Sequence, residues 1–171
     1  MLEVAEALLR QHDADPRPAF LRRAVSSAYY ALFHELIRDA VCRTVGTGTA
    51  HQAQRDAMSR WYSHTDVRAV SQWVMRRAAG SALPSRVVSL LTNCPADLIA
   101  VAERFVRLYE ARLEADYNSA TTIDTEVARE LINGARCHRP PSRTPERSWL
   151  PLLSPAASRR SADRHPVTAG R

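Results

Sequence analysis

The chain predicts an all-α protein: an up-and-down helical bundle of about five helices, followed by a disordered C-terminal tail. Three observations carry this. Apolar residues recur at three- and four-residue steps over two long stretches, about 18–45 and 98–117. No stretch alternates apolar and polar residues with period two, so no strand pattern competes. After Arg136 the composition changes sharply, and six of the ten prolines fall in residues 137–171 among Ser, Arg and Ala. Such a segment buries too little apolar surface to offset the entropy of ordering it. The expected division is a bundle over residues 1–136 and a tail over 137–171.

Taken in order, a first helix is expected over about 1–13, with Val4 and Leu8, joined by Ala5 and Leu9, on its inner side. Pro16 and Pro18 in "DADPRP" disfavour helix just before them. A long helix over about 18–45 follows. Leu21, Val25, Ala28, Leu32 and Leu36 form its apolar stripe, and Phe33, Ile37 and Val41 widen it. Gly46 and Gly48 are stop signals. A third helical stretch spans about 50–62, and a fourth runs from Thr65, a candidate N-cap, to Gly80. "SALPS" reads as a loop and "RVVSLL" as a short helical turn. Asn93 or Cys94 is the expected cap of the next helix, with Pro95 in its first turn. That helix runs to Tyr117, with Phe105 and Leu108 inward and Glu103, Arg107, Glu110 and Glu114 outward. A last helix over about 122–136 opens with Thr121 and Asp124 in capping-box spacing.

Charge and cysteine usage narrow the class. The net charge of +6 is unevenly placed: residues 137–171 hold seven arginines against Glu146 and Asp163, while residues 1–136 hold 17 arginines against 16 acids. The bundle is therefore close to neutral. Every basic residue is arginine, a side chain that forks onto phosphate and stacks on bases. Cys42, Cys94 and Cys137 fit neither a zinc spacing nor a disulfide framework, so a reduced, cytoplasmic setting is expected. No apolar run is long enough for a transmembrane helix, and "MLEVAEALLRQHD" lacks the basic start of a signal peptide.

The stretch "RRAVSSAYYALFHELIRDA", residues 22–40, raises the functional question. Arg23, Ser27, Tyr30, His34 and Arg38 are spaced 4, 3, 4 and 4, and so form one line along a helix. Arg23 and His34 are separated by about 16 Å at the α-helical rise, too far to act on one atom unaided. His34 and Arg38 are one turn apart. On the helix ending at Tyr117, Arg112 and Asp116 are four residues apart and can pair.

The segment "LRRAVSSAYYALFHELI" is similar to the second-helix signature of HEPN-type proteins, an all-α family of nucleotide-associated and ribonuclease domains. The later "RLYEARLEADYNSATTIDTEVARELINGAR" resembles the family's C-terminal half, where an Arg-x-x-Ala-Asp-Tyr element precedes a last helix. The resemblance covers about residues 1–136. It implies a helical bundle that dimerises, commonly beside a small nucleotidyltransferase or within toxin–antitoxin and defence systems. Active members resemble metal-independent ribonucleases carrying Arg, four to six residues, then His. Histidine can serve there as general acid or base and arginine as the stabiliser of phosphorane charge. This sequence departs from that motif: from Arg112 it reads "RLEADYN", with Tyr117 where the histidine would stand. The motif's spacing occurs only in the tail, at Arg159 and Arg160 with His165.

The expectation is thus a HEPN-like binding or interaction protein acting on or near RNA or nucleotides. A homodimer is expected, with a nucleotidyltransferase-like protein as possible partner and no membrane association. Arg23, Tyr30, Arg112, Asp116 and Tyr117 are the binding candidates. The alternatives are a metal-independent endoribonuclease using His34 and Arg38, and a helical adaptor with no nucleic-acid role. No metal or cofactor is expected, since neither ligand spacing nor a glycine-rich phosphate loop is present. "RWYSH", residues 60–64, reads as a helix end packed on the core, with base stacking as the competing role. His12, His51 and His138 are expected to be isolated in solvent.

Overall fold

The computed structural model describes residues 1–91 and 94–136; the expected disordered tail lies outside the described residues, as do Asn93 and the tail's Arg159, Arg160 and His165. Among the described residues there are no strands and seven α-helices, rather than about five. They are α1 (Leu2–Ala14), α2 (Pro18–Val45), α3 (Gln52–Ser59), α4 (His64–Ala78), α5 (Ser85–Leu90), α6 (Ala96–Tyr117) and α7 (Thr125–Arg136). Two of the seven are short: α3 lies within the helical stretch expected over about 50–62, and α5 within the short turn expected at "RVVSLL". α3 buries no residue and α5 only Val87, so neither leaves an apolar stripe in the sequence.

α2 is the axle. It packs against α1, α3, α6 and α7, while α4 joins the bundle through α6. Pro18 starts α2 at its first position, where a missing N–H costs nothing, and Arg17 before it is extended. Gly46 ends it with φ 96°, a conformation that suits glycine, and its N–H bonds to Cys42 O at 2.8 Å. The predicted stripe of α2 is buried throughout, and Ala24 and Ala28, both fully buried, let neighbouring helices approach closely. Phe105 on α6 and Tyr29 on α2 are both fully buried and meet with ring centroids 5.6 Å apart.

Several helix starts differ from expectation. α4 begins one residue before Thr65: Ser63 is its cap, accepting from Asp66 N, and Asp66 returns a bond to Ser63 N. This reciprocal capping box satisfies two of the donors a helix start leaves open. α6 begins after Pro95, with Pro95 itself at the cap position. At α7, Asp124 takes the capping role, accepting from Glu126 N and Val127 N. On α1 the buried residues are Ala5 and Leu9, while Val4 is exposed. The inner face of α1 is centred on Ala5 and Leu9, with Leu8 partly buried beside them and Val4 turned outward. His12 is not isolated: its Nδ1 meets the backbone of Arg17, and its Nε2 lies 3.3 Å from Thr125 Oγ1, tying α1 to the start of α7.

Candidate functional site

A polar and aromatic cluster lies where α2, α4 and α6 meet. From α2 come Ser26, Tyr29, Tyr30 and His34; from α4, His64 and Arg68; from α6, Tyr109, Arg112, Asp116 and Tyr117. Local rules fix each donor. The Ser63 capping box sets α4 so that His64 is its first residue and Arg68 stands one turn later. The four-residue steps of α2 place Tyr30 and His34 on one line, and the ring centroids are 6.2 Å apart, stacked.

Arg112 is the centre. Its Nη2 donates to Tyr30 Oη at 3.0 Å. Its Nε lies 2.7 Å from Asp116 Oδ2, but the N–H points away from a hydrogen-bond line, so charge holds this pair. The guanidinium carbon sits 5.5–5.7 Å from the ring centroids of Tyr29, Tyr30 and Tyr117, within cation–π range. Ser26 Oγ donates to the same Asp116 oxygen at 3.4 Å. Tyr117 is 74% exposed, so one ring of this cage faces solvent. Arg68 stacks in the same way over Tyr109, 5.2 Å away.

His64 is the member that sequence reading missed. Its Nδ1 is 2.7 Å from the hydroxyl of Tyr29. Phe33 lies against it with centroids 4.0 Å apart, and Tyr29 and Tyr30 lie at 5.6 and 5.7 Å. Burial lowers the pKa of His64 below the ordinary histidine value, and the charges of Arg112 and His34 add to the effect. Burial also pushes the Tyr29 phenol well above its usual range, so it keeps its proton. Tyr29 is fully buried, and its hydroxyl has no other acceptor among the described residues. It therefore donates to Nδ1, and we assign the imidazole hydrogen to Nε2. The signal available in the sequence was Ser63-x-x-Asp66, which places His64 at a helix start; its distance of 35 residues from Tyr29 hid the contact.

The predicted residues divide. Tyr30, Arg112, Asp116 and Tyr117 come together as one set. His34 borders it through Tyr30 and Phe33. Arg38 turns to Glu35 instead, through two N–H donors, and shares with His34 the wall of a groove of about 500 Å³ between α2 and α3. Arg23 is exposed and makes no polar contact among the described residues. "RWYSH" splits: Tyr62 is buried, Trp61 is 61% exposed, and His64 joins the cluster. The other arginine of the α2 motif, Arg22, holds the end of α6. It donates to Thr121 O at 2.9 Å, Asn118 O at 2.8 Å and Glu114 O at 3.4 Å.

Among the described residues no group of three His, Cys, Asp or Glu side chains is placed to hold a metal, and no helix is long and apolar enough to cross a membrane. Compared with protein-family models, curated proteins and solved structures, the chain matches none.

Proposed function

We propose that the chain is a HEPN-like helical binding protein that acts on or near RNA or nucleotides. It would work as a homodimer or beside a nucleotidyltransferase-like partner, in a toxin–antitoxin, paired or defence system. The observation that carries this is the Arg112 cage. A guanidinium held among Tyr29, Tyr30 and Tyr117, with Tyr117 open to solvent, offers a charge for phosphate and a ring face for a base. Titrating a labelled single-stranded oligoribonucleotide by fluorescence anisotropy tests it. Binding should weaken steeply as salt rises and should weaken with Arg112→Ala or Tyr117→Ala. Absence of binding at low salt sinks the proposal.

One observation favours a second reading, a metal-independent endoribonuclease. His34 and His64 both lie against the rings of Tyr30 and Phe33, and the Arg112 guanidinium lies over the same Tyr30. One histidine would take the proton of a ribose 2′-hydroxyl as it attacks phosphorus. The other would return a proton to the departing 5′-oxygen, with Arg112 facing the phosphorane charge. Incubation with RNA in the presence of a chelator decides between the readings: cleavage lost in both His34→Ala and His64→Gln selects the enzyme.

A further inference from the structure

Three helices each bring an unused nitrogen to the edge of the Arg112 cage. Tyr30 is their common neighbour: its ring lies 5.6 Å from the Arg112 guanidinium, 5.7 Å from His64 and 6.2 Å from His34. Among the described residues Arg112 Nη1, His64 Nε2 and the ring nitrogens of His34 make no hydrogen bond. None of them is enclosed, since the enclosed, unpartnered side-chain polar atoms are Nε of Arg68 and Nε of Arg112. His34 is exposed and His64 partly so, and the Arg112 side chain is 13% exposed. Arg112 Nη1 and His64 Nε2 carry hydrogens, so what they lack is an acceptor.

The charges around them point the same way. Arg112 on α6 and Arg68 on α4 stack on rings of the cluster, and His34 on α2 and His64 on α4 lie against Tyr30. Against these stand Asp116, already beside Arg112 Nε, and Glu110, 3.9 Å from Arg68 at its outer edge. The phenols of Tyr29 and Tyr30 and the ring of Phe33 also lie against His64, and Asp66 stands two residues along on the same helix.

We propose that His34, His64 and Arg112 form an oxyanion subsite, taking a phosphate group of the bound nucleotide or RNA, and that filling it draws a proton onto His64. The proposal rests on the nucleic-acid reading above and adds to it a defined subsite and a linkage to pH. In the empty site a second positive charge beside Arg112 is disfavoured, so the imidazole is neutral. A bound oxyanion reverses that field and gives Nε2–H an acceptor, so the charged imidazole becomes the favoured form. The Tyr29 hydroxyl can accept as well as donate, so it receives the new Nδ1–H; its own O–H then loses its acceptor, a cost that the bound oxyanion must exceed. Anion binding and proton uptake are then linked, each strengthening the other by the same factor.

Two probes separate the sources of the oxyanion. Sulfate keeps its charge across the titration range of histidine, and an oligoribonucleotide without terminal phosphates presents diesters only. Affinity for each is measured from about pH 8 to about pH 5.5, a window that brackets the ordinary histidine value. The imidazole signals of His64 are followed by NMR in the same samples. For the intact protein, affinity for both probes should rise as pH falls, by up to about tenfold per pH unit for one proton taken up. Sulfate should also move the His64 midpoint upward. His64→Gln, whose amide oxygen can still accept from Tyr29, should remove most of that pH dependence. Binding of the oligoribonucleotide with an unchanged pH profile in His64→Gln, or His64 signals that sulfate leaves unmoved, overturns the subsite and leaves the nucleic-acid reading standing. Sulfate binding linked to His64 without oligoribonucleotide binding supports the subsite and overturns the nucleic-acid reading. No binding of either probe at low salt overturns both.

Discussion

Arg22 reaches from α2 onto the end of α6, and Arg112 reaches from α6 back onto α2. The first spends its guanidinium on backbone: three carbonyls of residues 114, 118 and 121 surround it. Those groups are what a helix end and the following turn leave unpaired, so Arg22 closes the structure where α6 stops. Arg112 makes a single good hydrogen bond, to Tyr30, and otherwise stacks on rings. It retains an open nitrogen. A guanidinium saturated by carbonyls has nothing left for a ligand, whereas one braced by aromatic faces is held in place with donors to spare. Two arginines on one helix seam thus serve different ends because of what surrounds them.

The comparison can be broken at its base. Phe105 is fully buried in the seam between α2 and α6, against Tyr29 and Phe33. Phe105→Ala should cost about 3–5 kcal/mol of stability, measured by urea denaturation, and should weaken RNA binding only through unfolding. Arg22→Ala is next. It removes the donor shared by three carbonyls at the end of α6, only the Thr121 bond being part-buried, and should cost about 1 kcal/mol while leaving RNA affinity per folded molecule unchanged; a loss of affinity would show that the two arginines are not separate in role. Arg22→Lys should recover only part of that stability, because an ammonium lacks the fork that spans two carbonyls. Arg112→Ala should show the opposite pattern, with RNA affinity falling about tenfold, equivalent to about 1.4 kcal/mol, and a smaller loss of stability than Arg22→Ala.

The smallest effect is in pH. His64 has its pKa lowered by folding, so the unfolded chain takes up this proton more readily than the folded one. Stability from this residue is therefore complete above the ordinary histidine value of about 6.5. It declines as pH falls from there to the lower folded value, then levels off. Denaturation midpoints between about pH 7.5 and pH 5.5 should show this decline in the intact protein and a shallower one in His64→Gln, relative to the ordinary histidine midpoint.

Much of the molecule was legible locally. The 18–45 and 98–117 periodicities gave α2 and α6 nearly to the residue, because 3.6-residue spacing needs no partner to be seen. Pro18, Gly46 and the four-residue step from Arg112 to Asp116 are likewise properties of one helix, and each appears in the structure. The polar line of α2 was also visible, but not its division. The spacing could not tell that Arg38 would turn to Glu35, that Arg23 would stay in solvent, or that Arg22, one residue over, would reach α6. α3 and α5 were legible only as a stretch about 50–62 and a short turn at "RVVSLL", because helices that bury at most one side chain carry little apolar signature to fix their ends.

By itself, then, the sequence determined the helical class, most helix ends and the pairs that lie within a single helix, since these follow from φ/ψ preferences and fixed rise per residue. The tertiary structure decided the site. Tyr30 and Arg112 are 82 residues apart in the chain and Tyr29 and His64 are 35 apart. Their meeting depends on how α2, α4 and α6 are rotated about their axes and how closely they cross. Tyr29 and Phe33 of α2 meet Phe105 of α6 and His64 of α4 in one aromatic seam, a property of several helices together.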